Sequence, residues 1–155
     1  MKTLVVTEVD LPVKLQRFGI LSFLNTKSVQ FYIPDWCYEA QKNRSDLSNA
    51  DLSLAKRMVD EGSLKVVSLS SEQVANVMRL MAEQCSIFCV HSVVAVVFAK
   101  TMGYTLVSEN QLLRVVAFQQ LGVSISQYES VAAGLLQEII SQGINLKIEL
   151  LHELV

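Results

Sequence analysis

The run from Ile87 to Ala99 constrains the fold more than any other segment. Its 13 residues include no Lys, Arg, Asp or Glu, and its most polar members are His91 and Ser92. A membrane-spanning helix needs about 20 predominantly apolar residues, so this run is read as a helix inside a folded core. Extended to Met102 it is apolar almost all round, and such a helix has to be covered on every side. Gly103 ends it.

Around that helix, short β-like runs alternate with longer helical patterns. Leu4-Val5-Val6 is uniformly apolar, as an interior parallel strand is. Leu11, Leu15, Phe18, Leu21 and Phe23 or Leu24 predict a helix over 11–24, with Pro12 in its first turn, where a missing N–H costs nothing. Val29, Phe31 and Ile33 alternate, and Pro34-Asp35 opens a helix carrying Trp36, Cys37 and Glu39. After a polar break at 46–49, Ser48 or Asn49 caps a helix to Glu61, which Gly62 stops. Residues 64–69 read as a strand, and Ser70 or Ser71 caps a helix through Met81. Residues 104–107 form the next strand, 108–110 a turn, and 111–121 a helix closed by Gly122. A last short strand at 123–125 precedes a helix over 127–141 and a second amphipathic segment over 144–155.

This order implies an α/β sandwich with a mainly parallel sheet of about four or five strands flanked by helices. Ligands of such sheets sit beyond the C-terminal strand ends. The junctions to inspect are Thr7-Glu8, Ile33-Pro34-Asp35, Leu69-Ser70-Ser71 and Ser108-Glu109-Asn110.

Composition narrows the function. A chain of 155 residues fits one domain, with 127–155 as a helical C-terminal extension. At 51% hydrophobic and 18% charged it is not a disordered chain. Its 15 acidic and 13 basic residues argue against a broad basic surface for nucleic acid. The first apolar run stops at Thr7-Glu8, too early for a signal peptide, and Cys37, Cys85 and Cys89 are an odd set. Both features favour reduced thiols in the cytoplasm. No glycine-rich phosphate loop and no G-x-S-x-G elbow is present. Cys85, Cys89 and His91 lack a fourth partner for zinc and read as core thiols beside a histidine. His152 reads as a solvated helix residue.

The stretch from Ser92 through Lys100-Thr101-Met102-Gly103-Tyr104 to Ser108-Glu109-Asn110 and Leu113-Arg114 resembles the C-terminal core of PIN domains. That family's pattern is an Asp opening an apolar helix, K-x-L-G-A, an apolar strand, T-x-D and L-R. Leu4-Val5-Val6-Thr7-Glu8-Val9-Asp10-Leu11 resembles its first strand, which ends in D-x-[SN]-x-L. Phe18 to Leu24 is similar to its next helix, Ile33-Pro34-Asp35-Trp36-Cys37-Tyr38-Glu39 to I-P-x-x-V-x-E, and Gly62 to Val67 to G-x-[IL]-x-V-V. Residues 134–144 resemble the helical tail of bacterial members described as predicted nucleic-acid-binding proteins. The likeness runs in order along nearly the whole chain and implies a PIN-like three-layer sandwich.

It also implies a chemistry. PIN nucleases, among them the toxins of VapBC toxin–antitoxin pairs, hold Mg²⁺ or Mn²⁺ on three or four carboxylates at strand ends. Such hard ions want charged oxygen ligands, and the ion activates water against RNA phosphates. Carried over residue by residue, the first Asp falls on Thr7 and the mid-chain Glu on Glu39, or on Ala40 after a one-residue shift. The Asp opening the buried helix falls on Ser92, and the Asp after the fourth strand on Asn110. Ser92 and Asn110 stand 18 residues apart, as in the family. Three of the four positions are therefore neutral, and no metal ligand is assigned. Glu8, Asp10, Asp35 and Glu109 flank these positions as substitute acids. Strand alternation, however, turns Glu8 and Glu109 to the face opposite their neighbours. Asn110 also suits a helix N-cap, Ser92 a tight helix start and Glu39 a solvated helix face.

The leading expectation is a PIN-like protein that has lost metal-dependent ribonuclease activity, has no cofactor, and serves as a nucleic-acid-binding or protein-interaction module. The alternative is an active Mg²⁺- or Mn²⁺-dependent single-strand ribonuclease, the toxin of a toxin–antitoxin pair. RNA and an antitoxin-like protein are the implied partners, and no membrane is. Ile144, Ile148, Leu151 and Val155 share one helical face, widened by Leu150 and Leu154. That face suits a homodimer, a habit of many family members.

Overall fold

A computed structural model of the chain describes residues 2–23, 29–84, 89–116, 122–123 and 125–141. Its strands are β1 (Lys2–Val6), β2 (Val29–Pro34), β3 (Leu64–Val67), β4 (Thr105–Val107) and β5 (Ile125–Ser126). Its helices are α1 (Asp10–Arg17), α2 (Ile20–Phe23), α3 (Asp35–Gln41), α4 (Asn49–Glu61), α5 (Ser71–Gln84), α6 (Val90–Met102), α7 (Gln111–Val116) and α8 (Tyr128–Ser141). The five strands form one sheet in the order β3-β2-β1-β4-β5, and every pairing is parallel.

β1 lies at the centre, with Leu4, Val5 and Val6 all buried, which is why its sequence is apolar without alternation. α6 packs on β1, β2 and β4, and α5 covers α6. Seven consecutive residues of α6, Val93 to Ala99, are buried between these neighbours. Tyr32, Phe98 and Tyr104 join sheet to helix, the two tyrosine rings stacking at 5.1 Å. α8 buries Val131, Ala132, Leu135, Leu136 and Ile139 in the same core as β1. The result is a three-layer α/β sandwich.

The helix boundaries follow local chemistry. Ser48 caps α4 by accepting from the Asp51 N–H, and Gly62 closes it at φ 85°, a conformation glycine enters freely. Ser70 and Gln73 cap α5 reciprocally, each side chain accepting from the other's backbone N–H. Several boundaries depart from the sequence reading: β3 stops at Val67 instead of residue 69, and α5 runs past Met81 to Gln84. The helix expected over 11–24 breaks at Gly19, whose φ of 72° turns the chain between α1 and α2. β5 falls on Ile125–Ser126 instead of 123–125, because Val107 pairs with Ser126 and the Ser108 N–H donates to the Ser126 carbonyl. Cys85, Ile87, residues 117–121 and the whole of 142–155, with the Ile144, Ile148, Leu151 and Val155 face and His152, lie outside the described residues. Among the described residues, no helix is long and apolar enough to cross a membrane.

Candidate functional site

From β1 the chain adds β2 and β3 on one side, then returns to lay β4 and β5 on the other. The order therefore reverses between β1 and β4, and the crevice at such a reversal, beyond the C-terminal strand ends, is where sheets of this kind bind ligands. Val6 pairs with Val107, so Thr7 to Asp10 and Ser108 to Asn110 form the rim of that crevice.

The side chain that turns onto this rim from α3 is Gln41, not Glu39. Gln41 is buried; its Oε1 accepts from the Val9 N–H at 3.2 Å, and its Nε2 donates to the carbonyls of Cys37 at 3.4 Å and Thr7 at 3.5 Å. Glu39 points outward, two-thirds exposed and paired with Lys42 at 3.0 Å.

Arg44, in the connection between α3 and α4, is the hub. Its Nη1 and Nη2 donate to the two carboxylate oxygens of Asp10 at 2.6 and 3.2 Å. Its Nε and Nη2 hold both oxygens of Asp46 at 3.0 and 2.8 Å. Nη1 also donates to Gln41 Oε1 at 2.9 Å and lies 4.0 Å from Glu8 Oε2. These contacts leave the guanidinium firmly protonated, with its hydrogen bonds to Asp46 and Asp10 the main causes. The hydrogen bond from Arg44 holds the Asp46 carboxyl below the usual range. Burial, followed by repulsion from Asp10, raises Glu8 against the opposing pull of Arg44.

On the β4 side, Glu109 Oε1 accepts from the Tyr128 N–H at 2.6 Å, satisfying a free donor at the start of α8. Burial raises the Tyr128 phenol, and the charges of Glu8, Asp10 and Glu109 push it further. Those three acids lie within electrostatic reach of Tyr128. Glu8 joins them, contrary to the alternation argument, because β1 ends at Val6 and residues 7–9 no longer follow the strand period. Asp35 does not join them: one oxygen accepts from the Trp36 N–H at 2.8 Å and the other from Ser68 Oγ at 3.0 Å, at the ends of β2 and β3.

The remaining positions are occupied by structural contacts. Asn110 Oδ1 accepts from the Leu113 N–H at 3.1 Å, the N-cap of α7. Ser92 lies in the first turn of α6, its Oγ 3.3 Å from Cys89 Sγ. Arg114 Nη1 donates to the Ser108 carbonyl at 3.4 Å, and the Gln127 amide, oriented to accept, receives both terminal nitrogens at 2.7 Å. Sequence reading passed over Gln41, Arg44 and Tyr128, and quoted Arg114 only as part of the L-R pair. The one available signal was the Arg44-Ser45-Asp46 alternation of charge in a polar break.

This donor set does not fit the divalent ion that a PIN nuclease holds. Thr7, Ser92 and Asn110 bring no charge, and Asp10 and Asp46 already bind a guanidinium. Among the described residues, no three His, Cys, Asp or Glu come together in an arrangement that could hold a metal ion.

The sheet order and the strand-end rim define a PIN-like fold. No protein-family model matches the sequence, and no curated protein matches it. Among solved structures, the chain is similar to one in VapBC2 from Rickettsia felis bound to a DNA fragment from their promoter. The TM-score is 0.53 at 12% identity, covering 83% of this chain and 99% of that one. It is also similar to a chain of VapBC-1 from nontypeable Haemophilus influenzae, with a TM-score of 0.53 at 12% identity, covering 82% of this chain and 98% of that one. At these identities the likeness is one of fold.

Proposed function

We propose that this chain is a PIN-like domain without metal-dependent ribonuclease activity, acting as an interaction module. The observation that carries the reading is Arg44, whose guanidinium occupies both oxygens of Asp10 and of Asp46 at the rim where the fold's nucleases collect free carboxylates. Thr7, Ser92 and Asn110 are neutral, and the remaining acids Glu8 and Glu109 make no three-ligand set for a divalent ion among the described residues.

The partner we propose is a protein of the antitoxin kind, since the similar solved chains come from VapBC structures. The strand-end rim favours a protein over RNA. Its exposed charges are the carboxylates of Glu8, Asp46 and Glu109, and these repel phosphates instead of neutralising them. A homodimer through the 144–155 segment belongs to the same proposal; light scattering reads it, and a strict monomer removes it.

The test is cleavage of a single-stranded RNA in millimolar Mn²⁺. The expected result is no cleavage above the protein-free control. Cleavage that disappears in the Asp10→Ala variant would restore the ribonuclease reading.

A further inference from the structure

We infer that Arg44 is the built-in counter-cation of this cleft: its guanidinium, in place of a divalent ion, neutralises and cross-links the carboxylates beyond β1. The groups that it gathers come from different pieces of the chain. Glu8 lies in the turn after β1, Asp10 opens α1, Gln41 ends α3 and Asp46 follows in the connection to α4. Asp10 and Arg44 are 34 residues apart in sequence. Gln41 passes the linkage on to the Val9 N–H and the Thr7 carbonyl.

A planar guanidinium suits this place because its fork matches two carboxylates at once, a geometry an ammonium cannot reproduce. The Arg44 side chain is only 21% exposed, so its contacts are less screened than those of an ordinary surface pair. Asp10 and Glu8 without Arg44 would be partly buried charges with no counter-ion.

The inference rests on the proposed function only in that both require a cleft without a resident metal. Thermal unfolding of the full chain at pH 7 tests it without reading cleavage. Arg44→Met is expected to lower Tm by about 5 °C, the scale set by losing one partner of such a network in a domain of this size. Adding Asp10→Asn and Asp46→Asn to Arg44→Met should recover at least half of the loss, because the penalty is uncompensated charge. Arg44→Lys should fall between wild type and Arg44→Met. The wild-type Tm should be the same in EDTA and in millimolar Mn²⁺.

An unchanged Tm in Arg44→Met, or a triple variant no more stable than Arg44→Met, overturns the inference and leaves the proposed function standing. A clear rise of the wild-type Tm in Mn²⁺ overturns both. If Arg44→Met does not fold, the triple variant decides: it folds if Arg44 serves as counter-charge, and fails to fold if Arg44 is a packing strut.

Discussion

Gln41 and Val9 are joined across the strand-end rim: the amide oxygen of the first accepts from the backbone N–H of the second at 3.2 Å. The two residues are 32 apart in sequence and both are buried, so this hydrogen bond fixes the turn after β1 against α3. It also settles which α3 side chain reaches the cleft, and that side chain carries no charge.

Replacing Gln41 by Ala should therefore destabilise the fold. The Val9 N–H would be left buried without an acceptor, and such a group costs about 1–3 kcal/mol. Urea unfolding should show a lower midpoint at an unchanged slope. An unaltered midpoint would mean that the rim does not depend on Gln41.

Glu8 gives a pH dependence of definite sign. Its folded pKa is raised above the ordinary 4.5, chiefly by burial and then by Asp10, so the folded state holds this proton more tightly than the unfolded chain. Its contribution to stability is full below that ordinary value and is lost as pH rises through the raised one. Glu8→Gln should melt above wild type at pH 7 and lose that advantage at pH 4. Asp46 runs the other way. Its folded pKa is lowered by Arg44, so its stabilisation is present above the unfolded value and disappears as acid takes pH down through the lowered one. Asp46→Asn should melt below wild type at pH 7 and match it in strong acid.

Cys37 should be an unreactive thiol. It is buried, donates to the His91 carbonyl at 3.3 Å, and is pushed up to about 12 by burial, with Cys89 and Asp35 adding to the shift. The thiolate is the reactive form. In a chain with Cys85 and Cys89 replaced by Ser, a disulfide reagent at pH 8 should modify Cys37 only as fast as the protein opens. Complete reaction on mixing would contradict the burial.

What the sequence showed and what it hid divide by range. The caps at Ser48 and Ser70 and the stops at Gly62 and Gly103 were legible because each acts within one turn of its own helix. The uniformly apolar Leu4-Val5-Val6 announced an interior strand for the same local reason. The break at Gly19 was hidden, because apolar spacing continues on both sides of it. Glu39 seemed a rim residue, yet it lies two positions before Gln41, about 200° away around a helix, so only one of the two can face the strands. The Arg44 hub left only the Arg44-Ser45-Asp46 charge alternation as a local sign: its bonds to Asp10 and Gln41 depend on how α3 docks beside β1, which no spacing encodes. The neutral Thr7, Ser92 and Asn110 could be read from sequence alone, whereas the contacts that engage Ser92 and Asn110 could not.

The most direct measurement is a calorimetric titration of the full chain with Mn²⁺ at neutral pH. No saturable heat is expected up to millimolar ion, with Asp10 and Asp46 already held by Arg44 and Glu109 on the Tyr128 N–H. Saturable binding at micromolar Mn²⁺, lost in Asp10→Ala or Glu109→Ala, would contradict it and put a working metal centre at the ends of β1 and β4.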